Sequence, residues 1–174
     1  KDGLVHHQIE SFNNFVSDGI RDIIDNENTI SVNHDAYSYT VKFSNPYISQ
    51  PSIIEADRSL RPIFPRDCRL RDLTYESPVF VDINESVTNG ATQRTTKVMH
   101  KRVLIAKIPI MLRSSLCHLS GMNSKERIKS GECTWDKGGY FIIKGNERVL
   151  ISQMRGIYNR IMVMKSKKTS KNLY

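Results

Sequence analysis

Leu4, Val5, Ile9, Phe12, Phe15, Val16, Ile20, Ile23 and Ile24 recur mostly at helical spacing, with Glu10, Asn13, Asn14, Asp18 and Asp22 between them. That period predicts an amphipathic helix over roughly residues 4–25, with Phe12 and Phe15 as core side chains. The period then falls to two. Tyr37 to Phe43, YSYTVKF, alternates as a half-exposed strand does. Pro46, Pro51, Pro62 and Pro65 punctuate a meandering stretch that cannot hold long regular elements. Pro65 to Leu73 suits one short helix with proline in its first turn.

Tyr75 to Ile83 reads as a strand, with Pro78 placing its first part at an edge or bulge. The polar run 85–96, ESVTNGATQRTT, carries an Asn89-Gly90 turn signal and reads as a surface hairpin loop. Val98 to Leu112 returns as a long strand interrupted by Pro109. Ser124 to Ser130 is expected to be a small helix with Ser124 as its N-cap. GGYFIIKGNERVLISQ, residues 138–153, places two apolar runs around a short polar loop and predicts a β-hairpin. A further strand is expected at Asn159 to Met164, followed by a tail (residues 165–171) too polar to fold alone. The fold class is α+β: one long helix and a few short ones against a mostly antiparallel, irregular sheet.

The 174 residues suffice for one domain with a real core. No apolar run approaches the roughly 20 residues of a membrane helix. A start at Lys1-Asp2-Gly3, without Met or signal-peptide pattern, reads as a fragment of a longer protein.

Charge changes the picture more than composition does. Residues 1–100 hold ten Lys/Arg against fourteen Asp/Glu, a net of −4, whereas residues 101–174 hold sixteen against four, a net of +12. A basic second half suits a polyanion such as nucleic acid, and also an acidic neighbouring protein. Cys68, Cys117 and Cys133 are odd in number and wide in spacing, which favours free, buried thiols in a reducing, intracellular compartment. His100, Cys117, His118 and Cys133 could be drawn as a zinc site, but C-x-x-C and H-x-x-x-H spacings are absent. The sequon Asn84-Glu85-Ser86 is short enough to arise by chance.

No catalytic constellation is present: no phosphate-binding G-x-x-x-x-G-K, no G-x-S-x-G and no H-E-x-x-H. The Asp residues form no D-x-D cluster able to hold two Mg²⁺ ions. His6 and His7 are adjacent on the first helix, hence about 100° apart around it, which argues against joint metal ligation. On its residues alone the chain is a binding or structural domain, without catalytic residues or cofactor.

Four collinear stretches carry a resemblance. They are Phe64-Pro65-Arg66-Asp67-Cys68-Arg69-Leu70-Arg71-Asp72-Leu73-Thr74-Tyr75, then Ile108-Pro109-Ile110-Met111-Leu112-Arg113-Ser114, then ECTWDKGGYFII (132–143), then GNERVLISQ (145–153). Together they resemble the second-largest subunit of multisubunit DNA-directed RNA polymerases, closer to the eukaryotic, archaeal and large-DNA-virus branch than to the bacterial β subunit. The 85–96 loop and Arg155-Gly156-Ile157-Tyr158 depart from the family forms. The resemblance implies that residues 1–164 are the first part of the protrusion domain and 165–174 a basic exit toward the lobe. It implies a non-catalytic role on the upstream side of the cleft, within a nucleotidyltransferase whose catalytic residues lie outside this segment. Mg²⁺ and structural Zn²⁺ are then expected for the whole polymerase. The implied partners are template DNA, the RNA–DNA hybrid, the largest and other polymerase subunits, and initiation factors. The location would be a nucleus in a eukaryote, otherwise cytoplasm or the virion of a large DNA virus.

The 138–153 hairpin is the candidate site. The resemblance places Arg148, Ile151 and Gln153 near the nucleic-acid path. Independently, Arg148 could make charge-assisted, fork-shaped hydrogen bonds to phosphate, and Gln153 could bond sugar or phosphate without reading bases. Equally, Arg148 could pair with Glu147 or Glu132, and Gln153 could satisfy a strand edge. Lys165, Lys167, Lys168 and Lys171 in the tail are further nucleic-acid-proximal candidates. Gly138, Gly139 and Gly145 read as turn glycines needing positive φ. A free-standing basic nucleic-acid-binding module and a protein-docking scaffold are the competing functions.

Overall fold

The computed structural model describes residues 3–34, 37–90, 92, 94–153, 156, 159, 161, 164–165 and 172–173. Helix α1 (His6–Asn14) runs without a break through a π-helical turn (Phe15–Gly19) into α2 (Ile20–Asn26). This is the long helix that the apolar period predicts. Phe12 packs against the core, whereas Phe15 is exposed.

Strands β1 (Thr29–His34) and β2 (Tyr37–Ile48) follow, then a small hairpin of β3 (Ser52–Ile54) and β4 (Leu60–Pro62) within the proline-punctuated stretch. Helix α3 (Pro65–Leu70) has proline at its N-terminus, where a missing N–H removes no intrahelical bond. Strands β5 (Glu76–Asn89) and β6 (Arg94–Pro109) complete an antiparallel sheet in the order β1-β2-β5-β6. Pro78 lies in β5 where β2 has run out: the Pro78 carbonyl accepts from Ser49 N–H at 3.4 Å, just past the Ile48–Val79 pair.

The stretch 85–96 is not a loop. Its polar residues pair in register, Glu85 with Val98, Ser86 with Lys97 and Thr88 with Thr95, so only the short connection after Asn89 turns. The reason is alternation: Val87 shares a face with Tyr39, while Ser86 and Thr88 face the other way, and hydroxyls tolerate a solvated sheet face. Strand β6 ends at Pro109, and Ile110 and Leu112 go on into the core rather than into further sheet pairing.

Helix α4 (Ser124–Lys129) is capped by Asn123, not Ser124. The Asn123 side chain accepts from Glu126 N–H at 3.0 Å, and the Glu126 carboxylate accepts from Asn123 N–H at 2.9 Å. This reciprocal box starts the helix one residue earlier than the first Ser suggests. Strands β7 (Phe141–Ile143) and β8 (Asn146–Arg148) form the expected hairpin. Its turn is Lys144-Gly145, because Ile143 pairs directly with Asn146. Of the strand expected at Asn159 to Met164, the described Asn159 and Ile161 lie outside any strand. Pairing begins at β9 (Met164–Lys165), which meets β10 (Asn172–Leu173).

The core gathers Cys68 of α3 with Tyr75, Ile110, Leu112 and Ile142, all fully buried. Segments distant in sequence are stitched by backbone bonds: Tyr75 N–H to Ile142 O, Ile110 N–H to Tyr75 O and Leu112 N–H to Tyr140 O, at 2.8–3.0 Å. The Tyr75 hydroxyl, which burial would otherwise strand, accepts from His118 N–H at 3.1 Å and donates to Cys117 Sγ at 3.6 Å. Cys133, expected to be buried, is exposed, whereas Cys68 and Cys117 are buried.

Candidate nucleic-acid interface

The β7–β8 hairpin turns through two left-handed residues, Lys144 at φ +48° and Gly145 at φ +73°. Positive φ at both positions is the two-residue turn whose twist matches the flanking strands. Gly145 is required twice over, since a Cβ there would stand 2.6 Å from Asp72 Oδ1. The turn is tied down by Gly145 N–H to Leu73 O at 3.0 Å and Lys144 N–H to Thr74 Oγ1 at 3.2 Å. Gly138 and Gly139 stand at φ +71° and +81°, and a Cβ on Gly138 would meet Leu112 O at 2.5 Å.

Arg69, on the last turn of α3, anchors the hairpin from beside it. Its Nε donates to Glu147 Oε1 at 2.8 Å, its Nη1 to Glu132 Oε2 at 3.0 Å, and its Nη2 to the Tyr140 hydroxyl at 2.8 Å. The Tyr140 hydroxyl donates onward to Asp136 Oδ2 at 2.6 Å, and burial together with that bond pushes the phenol's pKa upward. The second oxygen of Glu132 accepts from Arg66 N–H at 2.6 Å, at the start of α3. One planar guanidinium thus joins α3, the loop before β7, and β8.

The two carboxylates that sequence reading offers to Arg148 are therefore taken by Arg69. Arg148 pairs in register with Phe141, whose ring is buried edge-on to Phe12 at 5.6 Å, and Arg148 itself is exposed. Among the described residues it has no ion-pair partner. Beyond β8 the chain is held by Gln8, whose Nε2 donates to Leu150 O at 3.0 Å. A groove of about 640 Å³ opens there between the long helix and the segment after β8, walled by Phe12, Phe15, Met111, Phe141 and Ile151. Gln153, just past that wall, is exposed. Lys165 contributes its backbone to β9, and Lys167, Lys168 and Lys171 lie outside the described residues.

The drawn zinc grouping does not assemble. His100 is in β6 beside Glu85 at 3.4 Å, His118 Nε2 lies 2.7 Å from Pro51 O, and Cys133 is on a separate exposed loop. Among the described residues, no three His, Cys, Asp or Glu side chains come together as a metal site. Arg69, Tyr140 and Asp136 are the site residues that sequence reading misses. Arg69 lies 63 and 78 positions from its two carboxylates, so no local spacing signals the pairing.

The profile of the RNA polymerase beta subunit family matches residues 3–172. The chain belongs to that family. It is 48% identical over 160 residues to a probable DNA-directed RNA polymerase II subunit RPB2 homolog of Invertebrate iridescent virus 3, covering 91% of this chain and 14% of that protein. It is 40% identical over 169 residues to DNA-directed RNA polymerase subunit Rpo2N of Methanocaldococcus jannaschii, covering 97% of this chain and 33% of that one. With DNA-directed RNA polymerase II subunit RPB2 of Schizosaccharomyces pombe the identity is 36% over 183 residues, covering 93% of this chain and 15% of that one. The chain thus spans between a seventh and a third of the length of these relatives. The identities run across viral, archaeal and eukaryotic lineages, as the four motifs imply.

Proposed function

We propose that this chain is the first part of the protrusion domain of the second-largest subunit of a DNA-directed RNA polymerase, with residues 165–174 leading toward the lobe. In this reading it is a non-catalytic wall on the upstream side of the cleft, working beside template DNA, the RNA–DNA hybrid and the largest subunit. Template-directed nucleotidyl transfer belongs to the assembled enzyme. The observation that carries the reading is the family match along nearly the whole chain, 3–172. Mg²⁺ and structural Zn²⁺ belong, in this reading, to the assembled enzyme.

Within the domain, Arg148 is the residue turned toward nucleic acid. Its charge is exposed on a hairpin fixed by Arg69, so it meets a phosphate without first breaking an ion pair. The test is Arg148→Ala in the assembled polymerase carrying the full-length subunit. Retention of a stalled elongation complex should weaken, and the log–log salt dependence should flatten by roughly 0.7–0.9 for one lost phosphate contact. Arg148→Lys should restore only part of the retention, because a point charge cannot make the forked contact. Unchanged retention and slope would remove nucleic acid from the role of this residue.

A further inference from the structure

Three register shifts flank β5: one leaves Ile105 of β6 extra between the pairs Val79–Ala106 and Phe80–Leu104, and the other two lie at neighbouring positions on opposite sides of the strand. On the β2 side, Asn45 and Pro46 oppose the single residue Val81, between the pairs Ser44–Asp82 and Tyr47–Phe80. On the β6 side, Lys101 and Arg102 oppose the single residue Asp82, between Val81–Val103 and Ile83–His100. Bulges bend a sheet and increase its local twist. Here two of them act across one strand, so the sheet changes direction along a line through Asp82. Toward the core lie Val79 and Val81, both buried. Beyond it the sheet runs out as an arm to the turn after Asn89.

Each of these two bulges holds a non-glycine residue in the left-handed region, Asn45 at φ +51° and Arg102 at φ +52°. Asparagine tolerates that conformation, while arginine adopts it only when its surroundings impose it. Asp82 supplies the imposition on both sides. Its Oδ1 accepts from the Arg102 backbone N–H at 2.9 Å, and its Oδ2 accepts from Asn45 Nδ2 at 3.0 Å. These two donors hold the Asp82 carboxyl below its ordinary range. The Arg102 guanidinium lies over the Tyr47 ring, 5.5 Å from its centroid, so the β6 bulge also leans across β5 onto the β2 bulge.

We propose that Asp82 is a positioning residue, whose carboxylate locks the two bulges together and so fixes the angle at which the β1-β2-β5-β6 arm leaves the core. The lever is long. From Asp82 to Asn89 the strand rises about 20 Å, so a 10° change at the bulges moves the arm tip by roughly 3.5 Å. Register places Lys42 and Lys97 on the same face as Asp82, opposite Asn84 and Ser86 of β5, so the lock also sets where that polar, lysine-bearing face points.

The experiment is a distance measurement in the assembled polymerase with the full-length subunit. Spin labels are introduced through non-canonical amino acids at Arg94, on the arm, and Lys137, on the core, both exposed. The unsubstituted protein should give one narrow distribution. Asp82→Ala should shift or broaden it by about 3 Å or more, by the lever above. Asp82→Asn keeps a carbonyl acceptor for Arg102 N–H but cannot accept from Asn45 with its amide nitrogen, so it should fall between. Arg102→Gly retains the backbone donor and the left-handed conformation while deleting the stack on Tyr47, and should leave the distribution unchanged. An unmoved arm in Asp82→Ala overturns the proposal, as does an Arg102→Gly shift as large as that of Asp82→Ala. Should Asp82→Ala fail to assemble, Asn45→Gly removes one donor while keeping the backbone conformation. A partial shift is then expected, and none would overturn the lock.

Discussion

Replacing Arg69 by Ala deletes three hydrogen bonds, and their values differ widely. The bond to Glu147 reaches a carboxylate that is 56% exposed, so it behaves as a surface pair worth about 0–1 kcal/mol. Glu132 is the opposite case, with a side chain only 4% exposed. Removing its partner leaves a buried carboxylate uncompensated, which costs about 3–5 kcal/mol. The retained bond from Arg66 N–H at 2.6 Å pulls the figure toward the lower end. Since a domain's whole stability is about 5–15 kcal/mol, the lesion is large, and it is concentrated where α3 meets the hairpin.

Amide hydrogen exchange in the full-length subunit reads that region directly. The Gly145 N–H to Leu73 O and Tyr75 N–H to Ile142 O bonds join the hairpin to the body, and their protection follows the local opening free energy. At 1.4 kcal/mol per factor of ten, Arg69→Ala should speed exchange of the Gly145 amide by about 10²-fold or more. Glu147→Gln should change it by less than about fivefold. Arg69→Met combined with Glu132→Leu should recover most of the protection, because an apolar pair needs no counter-charge. If Arg69→Ala and Glu147→Gln accelerate exchange to within a few-fold of each other, the buried Glu132 contact is not the source of the stability and the reasoning fails.

Gly145→Ala should weaken the same hairpin by about 1–3 kcal/mol, because it combines a strained φ of +73° with a Cβ only 2.6 Å from Asp72 Oδ1. Unaltered exchange at the Lys144 amide would refute this. Burial, followed by the nearby Asp67 charge, pushes the Cys68 thiol from 9.0 up to about 12. A raised folded-state value means that this contribution to stability is complete below about pH 9 and declines toward pH 12, by about 1.4 kcal/mol per unit as the unfolded chain ionises first. Alkylation of the native subunit at pH 8 should accordingly modify the exposed Cys133 and spare Cys68. Comparable rates at the two thiols would contradict the burial argument.

The elements legible in the sequence are those set by local rules. The long helix follows from its apolar period, α3 from a proline at its start, and the place of the β7–β8 hairpin from its glycine, although β8 is the polar Asn146–Arg148 and the second apolar run, from Val149, lies beyond it. Polar strands are harder to see. Glu85 to Asn89 and Arg94 to Thr96 look like loop because their faces are solvated, and only pairing across the sheet shows them to be strands. The cap of α4 moved by one residue because Asn123 and Glu126 bond reciprocally, a pattern present in the sequence but masked by the neighbouring Ser124. The Arg69 contacts were illegible for a different reason: α3 and β8 are adjacent only because Cys68 of α3 and Ile142 of β7, the partner strand of β8, share one core with Tyr75.

That last point also explains why a hairpin needs polar residues at its turn and exit. The sequence GNERV puts a carboxylate and a cation side by side, and the simplest reading pairs them. On β8 they point to opposite faces, as neighbours on a strand must. Glu147 therefore turns with Ile142 toward Arg69, while Arg148 lies opposite Phe141 on the other face and is exposed. The carboxylate is consumed in holding the hairpin and the cation stays exposed. A net charge of +12 over residues 101–174 would mean little for polyanion binding if its arginines were paired internally. At this hairpin the cation that pairs with Glu147 and Glu132 comes from the first hundred residues, as Arg69, and Arg148 is left exposed without an ion-pair partner among the described residues.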